Sequence, residues 1–244
     1  MKENKYDDDI FFQKYSQMSR SQQGLAGAGE WETLRTLLPD FKDKRVLDLG
    51  CGYGWHCIYA MEHGASSVVG VDISHKMLEV AKEKTHFPQV EYKCCAIEDV
   101  EFPEESFDVI LSSLAFHYVD EILVKKIYRI LKSGGKLVFT VEHPVFTAYG
   151  TQDWYYNEKG EILHFPVDNY YYEGKRTAVF LGEKVTKFHR TLTTYLNTLL
   201  SNGFIINHIV EPQPPEYMMD IPGMQDEMRR PMMLIVSANK KVDR

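Results

Sequence analysis

The 244-residue sequence predicts an α/β fold in which a mostly parallel β-sheet is covered by helices on both faces. Three observations predict it. From Lys44 onward, short apolar runs typical of buried strands alternate with longer amphipathic segments typical of helices. The first strand runs directly into a turn with glycines on alternate positions, "GCGYG". Strands that alternate with helices of this length imply right-handed crossovers, and therefore a parallel sheet.

The amino-terminal part of the chain is expected to be helical. Apolar groups recur at spacings of three and four residues in "IFFQKYSQMSRS" and "EWETLRTLLP", within residues 10–38. Between these stretches, "GLAGAG" interrupts the helical pattern with three glycines. We therefore predict that residues 1–43 form a helical lid ahead of the main fold, with the glycine-rich segment as its hinge.

The strands and helices of the main fold follow in a regular order. The first strand, "RVLDLG", leads through the glycine turn into the helix "WHCIYAMEHG", which Gly64 ends. The second pair is the strand "SVVGVD" and the helix "SHKMLEVAKEK", for which Ser74 is the expected N-cap. The third and fourth strands, "VEYKCCA" and "FDVILSS", come next. The helix "EILVKKIYRILKSGG", which two glycines end, then leads into the fifth strand, "KLVFTVE".

An aromatic-rich insertion at residues 144–188 interrupts this alternation. Within it, "YYYEGKRTAVF" predicts a hairpin that turns at Glu173 and Gly174. The helix "TLTTYLNTLLSNGF" follows and ends at Gly203. Two further strands, "IINHIVEPQPP" and "PMMLIVSA", are joined by a connection rich in proline and methionine. We therefore predict one domain over residues 44–244 that carries the insertion.

Composition narrows the classes of partner. The net charge of −7 supplies no general attraction to nucleic acid or to anionic membranes. The start "MKENKYDDDI" lacks the basic and apolar regions of a secretory signal, and no apolar run reaches 18 residues, so a cytoplasmic location is expected. The four cysteines form no C-x-x-C pair, which argues against disulfides and against a metal site.

The glycine turn indicates a particular kind of ligand. A phosphate-binding loop needs Lys and Ser or Thr after its last glycine, and "GWHC" stands there instead. A dinucleotide fingerprint would need glycine where Trp55 or Cys57 stands, and Asp48 would face the pyrophosphate of such a cofactor. The remaining candidate is a phosphate-free nucleoside with a cationic end, for which Asp48 is favourable. S-adenosylmethionine has this chemistry.

Longer motifs carry a resemblance to one family. "VLDLGCGYG" resembles the first motif of class I S-adenosylmethionine-dependent methyltransferases, and "VVGVDIS" resembles the second. "CCAIEDVEFPEESFDVILSSLAFHYV" is similar to the third and fourth. The resemblance implies a three-layer, Rossmann-like fold whose seven strands have the order 3-2-1-4-5-7-6, with the seventh antiparallel. It also implies methyl transfer from S-adenosylmethionine, with S-adenosylhomocysteine as the product.

The resemblance also assigns cofactor-binding residues. In the glycine loop these are Asp48, Gly50, Cys51, Gly52 and Gly54; at the second and third strands they are Asp72, Ile73, Met77, Ala96 and Ile97; at the fourth strand they are Ser112 and Leu114. Asp72 would bind the two ribose hydroxyls, because a carboxylate pairs well with a cis-diol. Many members have an acid where this chain has Cys95. Glu98, Asp99 or a backbone carbonyl would then bind the adenine amino group.

Two segments are expected to cover the bound cofactor: the lid at residues 1–43 and the insertion at residues 144–188. Similar proteins place a tyrosine or arginine of the lid near the methionine carboxylate, here Tyr15 and Arg20. The aromatic side chains of the insertion could form an apolar cage for the methyl acceptor. His143 and His189 are the candidate catalytic bases, and His117 is a further candidate. Each of the three histidines could equally be a core or capping residue.

The sequence favours a small-molecule methyl acceptor. A transferase acting on tRNA or protein is an alternative, and the acidic composition and the lack of a Lys/Arg cluster count against the tRNA version. A protein that binds the cofactor without catalysis is a further alternative, because Asp48, Gly50, Gly52 and Asp72 indicate only cofactor binding. A nicotinamide-dependent oxidoreductase is the fourth choice.

Overall fold

A computed structural model describes residues 4–120 and 123–242. Its strands are β1 (Arg45–Leu49), β2 (Ser67–Asp72), β3 (Val90–Cys94), β4 (Phe107–Ser113), β5 (Leu131–Glu142), β6 (Tyr155–Tyr156), β7 (Ile162–His164), β8 (Gly174–Phe180), β9 (Glu183–His189), β10 (Phe204–Val210) and β11 (Met233–Lys240). Its α-helices are α1 (Asp9–Ser16), α2 (Ser19–Gln23), α3 (Trp31–Leu37), α4 (Trp55–Glu62), α5 (His75–Lys84), α6 (Val124–Ile130), α7 (Pro144–Thr147), α8 (Leu192–Ser201) and α9 (Met224–Glu227).

Seven of these strands form the central sheet, in the order β3-β2-β1-β4-β5-β11-β10. β11 is antiparallel to both of its neighbours, β5 and β10. Because the insertion adds four strands between the fifth and the sixth strand of the sheet, β10 and β11 are the predicted strands six and seven. The predicted order and the antiparallel seventh strand are therefore confirmed.

Two apolar cores lie on the two faces of the sheet. Successive side chains of a strand point to opposite faces, so Val46 and Leu47 of β1 belong to different cores. The first core, which contains Leu47, receives α6 and α8 through Ile127 and Leu199. The second, which contains Val46, receives the helices α3, α4 and α5. This arrangement gives the predicted three layers.

The helix before β5 is shorter than predicted. The sequence predicts a helix that begins at Glu121 and is ended by Gly134 and Gly135, whereas α6 ends at Ile130 and the chain then enters β5. Leu131 is fully buried and pairs with Phe107 of β4, which draws the backbone into the sheet early. Gly134 has a φ of +73°, which a right-handed helix does not allow. The first two residues of the predicted helix lie outside the described residues.

The predicted turn of the inserted hairpin is wrong in position. β8 begins at Gly174, and the chain reverses at Leu181 and Gly182, between β8 and β9. These two residues have φ values of +55° and +78°, the left-handed pair that a tight two-residue hairpin turn requires. Glu173 has another role, because its carboxylate accepts a hydrogen bond from the Thr191 backbone N–H at 2.8 Å, just before α8.

The amino-terminal segment is helical, as predicted, and it contacts both the sheet and the insertion. Phe11 of α1 is fully buried against Ala178 and Val185 of the β8–β9 hairpin. Asp7 lies at the start of α5, where its carboxylate accepts hydrogen bonds from the backbone N–H of Lys76 at 3.1 Å and of His75 at 3.3 Å. Within residues 4–120 and 123–242, every helix is too short or too polar to cross a lipid bilayer.

Candidate active site

The glycine loop after β1 combines tight packing with one open position. Gly50, Gly52 and Gly54 have φ values of +81°, +52° and +75°. A Cβ at Gly50 would lie 2.3 Å from the Cβ of Ala115, and one at Gly54 would lie 2.2 Å from the Tyr92 hydroxyl. A Cβ at Gly52 would meet nothing within 4 Å. Packing therefore requires the first and third glycines, while the second leaves space for a ligand to approach the backbone.

That space is part of a cavity of about 880 Å³. The cavity lies at the carboxyl ends of the parallel strands, where open α/β sheets bind their ligands. The amino-terminal segment, the β8–β9 hairpin and residues 212–233 form its other walls. Ten predicted cofactor residues line it: Tyr15, Arg20, Gly50, Gly52, Asp72, Ile73, Met77, Ala96, Ile97 and Leu114.

Asp72 is held in place at the carboxyl end of β2 by backbone groups. Its Oδ2 accepts a hydrogen bond from the Gly52 N–H at 2.8 Å, and its Oδ1 accepts one from the Ser74 N–H at 2.9 Å. Burial raises the pKa of Asp72, and the two N–H groups counteract that rise. Each carboxylate oxygen has further lone pairs for a ligand. Because Asp72 lies in the cavity wall, its carboxylate is placed to accept hydrogen bonds from a diol.

Other predicted residues support the loop from beneath. Asp48, Gly54 and Ser112 do not line the large cavity, and Cys51 lines a smaller space of about 70 Å³ next to it. Asp48 is buried, and its carboxylate accepts a hydrogen bond from the thiol of Cys57 at 3.5 Å. Burial raises the pKa of Asp48 to about 7. The hydroxyl of Ser112 donates to the carbonyl of Leu49 at 2.8 Å.

An ion pair in the amino-terminal segment lies beside the glycine loop. Arg20 pairs with Glu30, and both side chains line the cavity. Arg20 is therefore neither a solvated surface residue nor a free cation. The sequence analysis missed Glu30, which directly follows the predicted glycine hinge and is buried at 3% exposure.

The two predicted catalytic histidines do not line the cavity. The Nδ1 of His143 accepts a hydrogen bond from the Val145 N–H at 3.1 Å, so this ring caps α7. His189 ends β9, before α8 begins. Its Nε2 donates to the carbonyl of Tyr170 at 2.8 Å, and its Nδ1 is 2.7 Å from the Thr147 hydroxyl. Both rings are therefore occupied in packing and capping.

Glu142 and His117 line the cavity instead. Glu142 is the last residue of β5 and lines the cavity, whereas His143, the next residue, is the N-cap of α7 and does not. The Nδ1 of His117 accepts a hydrogen bond from the Glu142 N–H at 3.4 Å, which leaves the hydrogen on Nε2. Burial lowers the pKa of His117 to about 4. This ring is therefore neutral at pH 7 and presents an N–H donor.

The negative charge of the Glu142 carboxylate is balanced by other groups of the protein. It pairs with the Lys187 ammonium and accepts a hydrogen bond from the Gln152 amide at 2.6 Å. The same Gln152 accepts from Lys187 at 2.8 Å, and Lys187 is 2% exposed. Burial alone would raise the pKa of Glu142, but His117 and Lys187 outweigh it and hold the pKa below its usual value.

His117 is expected to make the protein less stable in mild acid. Between pH 6.5 and about 4, the unfolded chain binds a proton at this histidine that the folded chain does not. The free energy of unfolding should therefore fall as the pH is lowered through that window, by up to about 3 kcal/mol for this group. Urea unfolding of the wild type and His117→Gln at pH 7 and pH 5 measures it. The same pH dependence in both proteins would contradict the assignment.

Residues 212–233 form a wall that the sequence analysis assigned to the connection between the last two strands and to the adjoining strand ends. Met218, Ile221, Met224, Met232 and Met233 line the cavity along this segment. The run of methionines was visible in the sequence, but no periodicity assigned it to a face.

The inserted aromatic residues contribute less to the cavity than predicted. Phe180 and Phe188 line it. Trp154 and Phe165 pack against each other and against the guanidinium of Arg230 instead. In the part of the chain that the structure describes, the aromatic cage expected from the insertion is therefore limited to two phenylalanines.

Comparison with known proteins shows the family of the chain. A family profile described as "Methyltransferase domain" matches residues 47–139. A Listeria monocytogenes structure classed among S-adenosylmethionine-dependent methyltransferases is 57% identical and has a TM-score of 0.86, covering 89% of this chain and 99% of its own. An S-adenosylmethionine-dependent methyltransferase structure from Mesorhizobium loti is 40% identical, with a TM-score of 0.82, covering 88% and 100%.

One curated relative is matched over part of its length. A ubiquinone biosynthesis O-methyltransferase of Coxiella burnetii is 35% identical over 112 residues, which are 44% of this chain and 47% of that protein. The chain thus aligns with about half of that enzyme.

The fold and these comparisons together define an α/β enzyme that uses a nucleoside cofactor. The chain belongs to the class I S-adenosylmethionine-dependent methyltransferases. Its cofactor is S-adenosylmethionine, which the open backbone at Gly52 and the carboxylate of Asp72 fit.

Proposed function

We propose that the protein transfers the methyl group of S-adenosylmethionine to a small-molecule acceptor. The observation that carries the proposal is the extent of the cavity. It continues from the predicted cofactor residues to a second wall formed by the β8–β9 hairpin and residues 212–233. A volume of about 880 Å³ is at the upper end of the range for small-molecule sites, which suits a cofactor and an acceptor together.

We propose roles for the cofactor residues according to their places in the wall. Asp72 binds the ribose hydroxyls, and Gly50 and Gly52 let the methionine part lie against the backbone. Ile73, Met77, Ala96 and Ile97 pack on the adenine, while Leu114, Tyr15 and Arg20 contact the methionine end. When bound, S-adenosylmethionine supplies a methyl group that is already activated for in-line displacement. The protein then has to hold the acceptor in line and exclude water.

Two segments act as covers in this proposal. Residues 1–43 form the lid over the cofactor, and the insertion at 144–188 covers the acceptor through its β8–β9 hairpin. Residues 44–244 are the methyltransferase domain that carries them. Contacts between Phe11 and the hairpin support a joint closure of the two covers.

One finding supports a small acceptor over tRNA. The net charge of −7 disfavours tRNA, because nucleic-acid binding needs a basic surface.

The test is a screen for S-adenosylhomocysteine release against a library of metabolites. We expect calorimetry to show S-adenosylmethionine binding, and at least one metabolite to stimulate release. A hundredfold excess of cofactor over its dissociation constant should add about 2.7 kcal/mol to stability, and NAD should add nothing. Binding without turnover on any metabolite, combined with methylation of a bulk tRNA or protein fraction, would contradict a small acceptor.

A further inference from the structure

The acceptor side of the cavity is mainly apolar. We define this side as the cavity residues of β5, the β8–β9 hairpin and residues 212–233. Its apolar part includes Phe188 and the five side chains Met218, Ile221, Met224, Met232 and Met233. Methionine is flexible and polarisable, so a wall of this kind adapts to apolar ligands of varied shape.

The charged groups on this side are neutralised or lie in solvent. Glu142 is compensated by Lys187, and Glu227 makes two hydrogen bonds to Arg230, at 2.6 and 2.9 Å. Lys175, which also lines the cavity, is exposed. A charged acceptor would lose its hydration on entering, and these paired groups would not compensate it.

His117 supplies a polar group at the end of this wall. The ring is 2% exposed and lines the cavity. Its Nε2 is 4.0 Å from the nearest oxygen of Glu142, which is beyond hydrogen-bond distance. Because Nδ1 accepts from the backbone, the Nε2–H is a donor available to a ligand oxygen.

We propose that the acceptor is an uncharged, largely apolar hydroxyl compound whose oxygen accepts a hydrogen bond from the Nε2–H of His117. The inference rests on the proposed methyl transfer to a small molecule. An oxygen lone pair of the acceptor forms the new O–CH₃ bond, the electrons of the broken S–CH₃ bond go to sulfur, and the hydroxyl proton is released to bulk solvent. The methionine wall holds the apolar body of the acceptor.

Matched phenols test the charge and the apolar body. The probes are 4-ethylphenol against tyramine, 4-propylphenol against 3-(4-hydroxyphenyl)propionate, and 4-hexylphenol. Binding is measured by calorimetry on protein saturated with S-adenosylhomocysteine. We expect each added methylene to tighten binding about threefold to fourfold, as burial of one CH₂ implies, and each charged partner to bind at least tenfold more weakly. Equal or tighter binding of tyramine or the propionate would overturn the proposal.

Two methionines of one segment provide a matched pair of variants. Met224 lines the cavity, whereas Met228, four residues later, does not line it and is 48% exposed. Met224→Glu should weaken 4-hexylphenol binding by tenfold or more, and Met228→Glu should leave it unchanged. Affinity for S-adenosylhomocysteine should be unchanged in both, which shows that both fold. Unchanged 4-hexylphenol affinity in Met224→Glu would overturn the apolar wall.

The donor role of His117 has its own test. His117→Met, which removes the N–H, should weaken 4-hexylphenol about three- to tenfold, the range for one hydrogen bond. His117→Gln, which keeps an N–H donor, should recover most of that loss, and hexylbenzene should bind all three proteins equally. Equal losses of both ligands would overturn the hydrogen bond. Failure of S-adenosylhomocysteine to bind the wild type would instead refute the proposed function.

Discussion

Replacing Lys187 by methionine is expected to lower the free energy of unfolding by about 3–5 kcal/mol, because it leaves a buried carboxylate without its counter-charge. Lys187 is 2% exposed and pairs with Glu142 in the cavity wall. The pKa of Glu142, now held below its usual value, should rise once the ammonium is gone. Urea unfolding at pH 7 measures the loss.

Two controls separate this effect from a general loss of packing. The double variant Glu142→Gln/Lys187→Met removes both charges and should recover most of the stability. Lys132→Met breaks a more exposed pair with Asp108 and should cost under about 1 kcal/mol. A cost for Lys187→Met as small as that for Lys132→Met would show that the pair contributes no more than a surface ion pair.

Replacing Asp72 by alanine is expected to weaken S-adenosylmethionine binding by about 3 kcal/mol, or roughly a hundredfold in the dissociation constant. The variant loses the proposed partner of the ribose hydroxyls. It also releases the Gly52 N–H, which Asp72 holds at 2.8 Å. Calorimetry on the purified variant measures the affinity directly.

Asp108 offers the matched control for Asp72. It is also a strand carboxylate that accepts a backbone hydrogen bond, from the Arg45 N–H at 2.9 Å, but it does not line the cavity. Asp108→Ala should lower the melting temperature without changing cofactor affinity. An Asp72→Ala variant that keeps its affinity within threefold would contradict the ribose assignment.

The sheet and the wall of the cavity at the ends of its strands were predictable because their signals are local. The turn at Gly50, Gly52 and Gly54, and Asp72 about twenty residues later, each follow a buried strand whose end is visible in the sequence. Parallel strands bring their carboxyl ends to one edge, so topology alone places these groups together.

The acceptor side could not be predicted in the same way, since it depends on which way a side chain faces and on distant partners. Glu142 and His143 are adjacent in sequence, but Glu142 ends β5 and lines the cavity, whereas His143 caps α7. Lys187 pairs with Glu142, from which it is separated by 45 positions in the sequence. No short-range sequence pattern predicts the orientation of Glu142 or its pairing with Lys187.

The position of Asp7 has a consequence for observing how the protein opens. Its carboxylate accepts the backbone N–H groups of His75 and Lys76, which begin the helix after Asp72. If residues 1–43 swing away from the sheet, these two amides lose their acceptor and meet water. Their rates of deuterium uptake therefore report the open population directly, beside the proposed ribose site and without any added label.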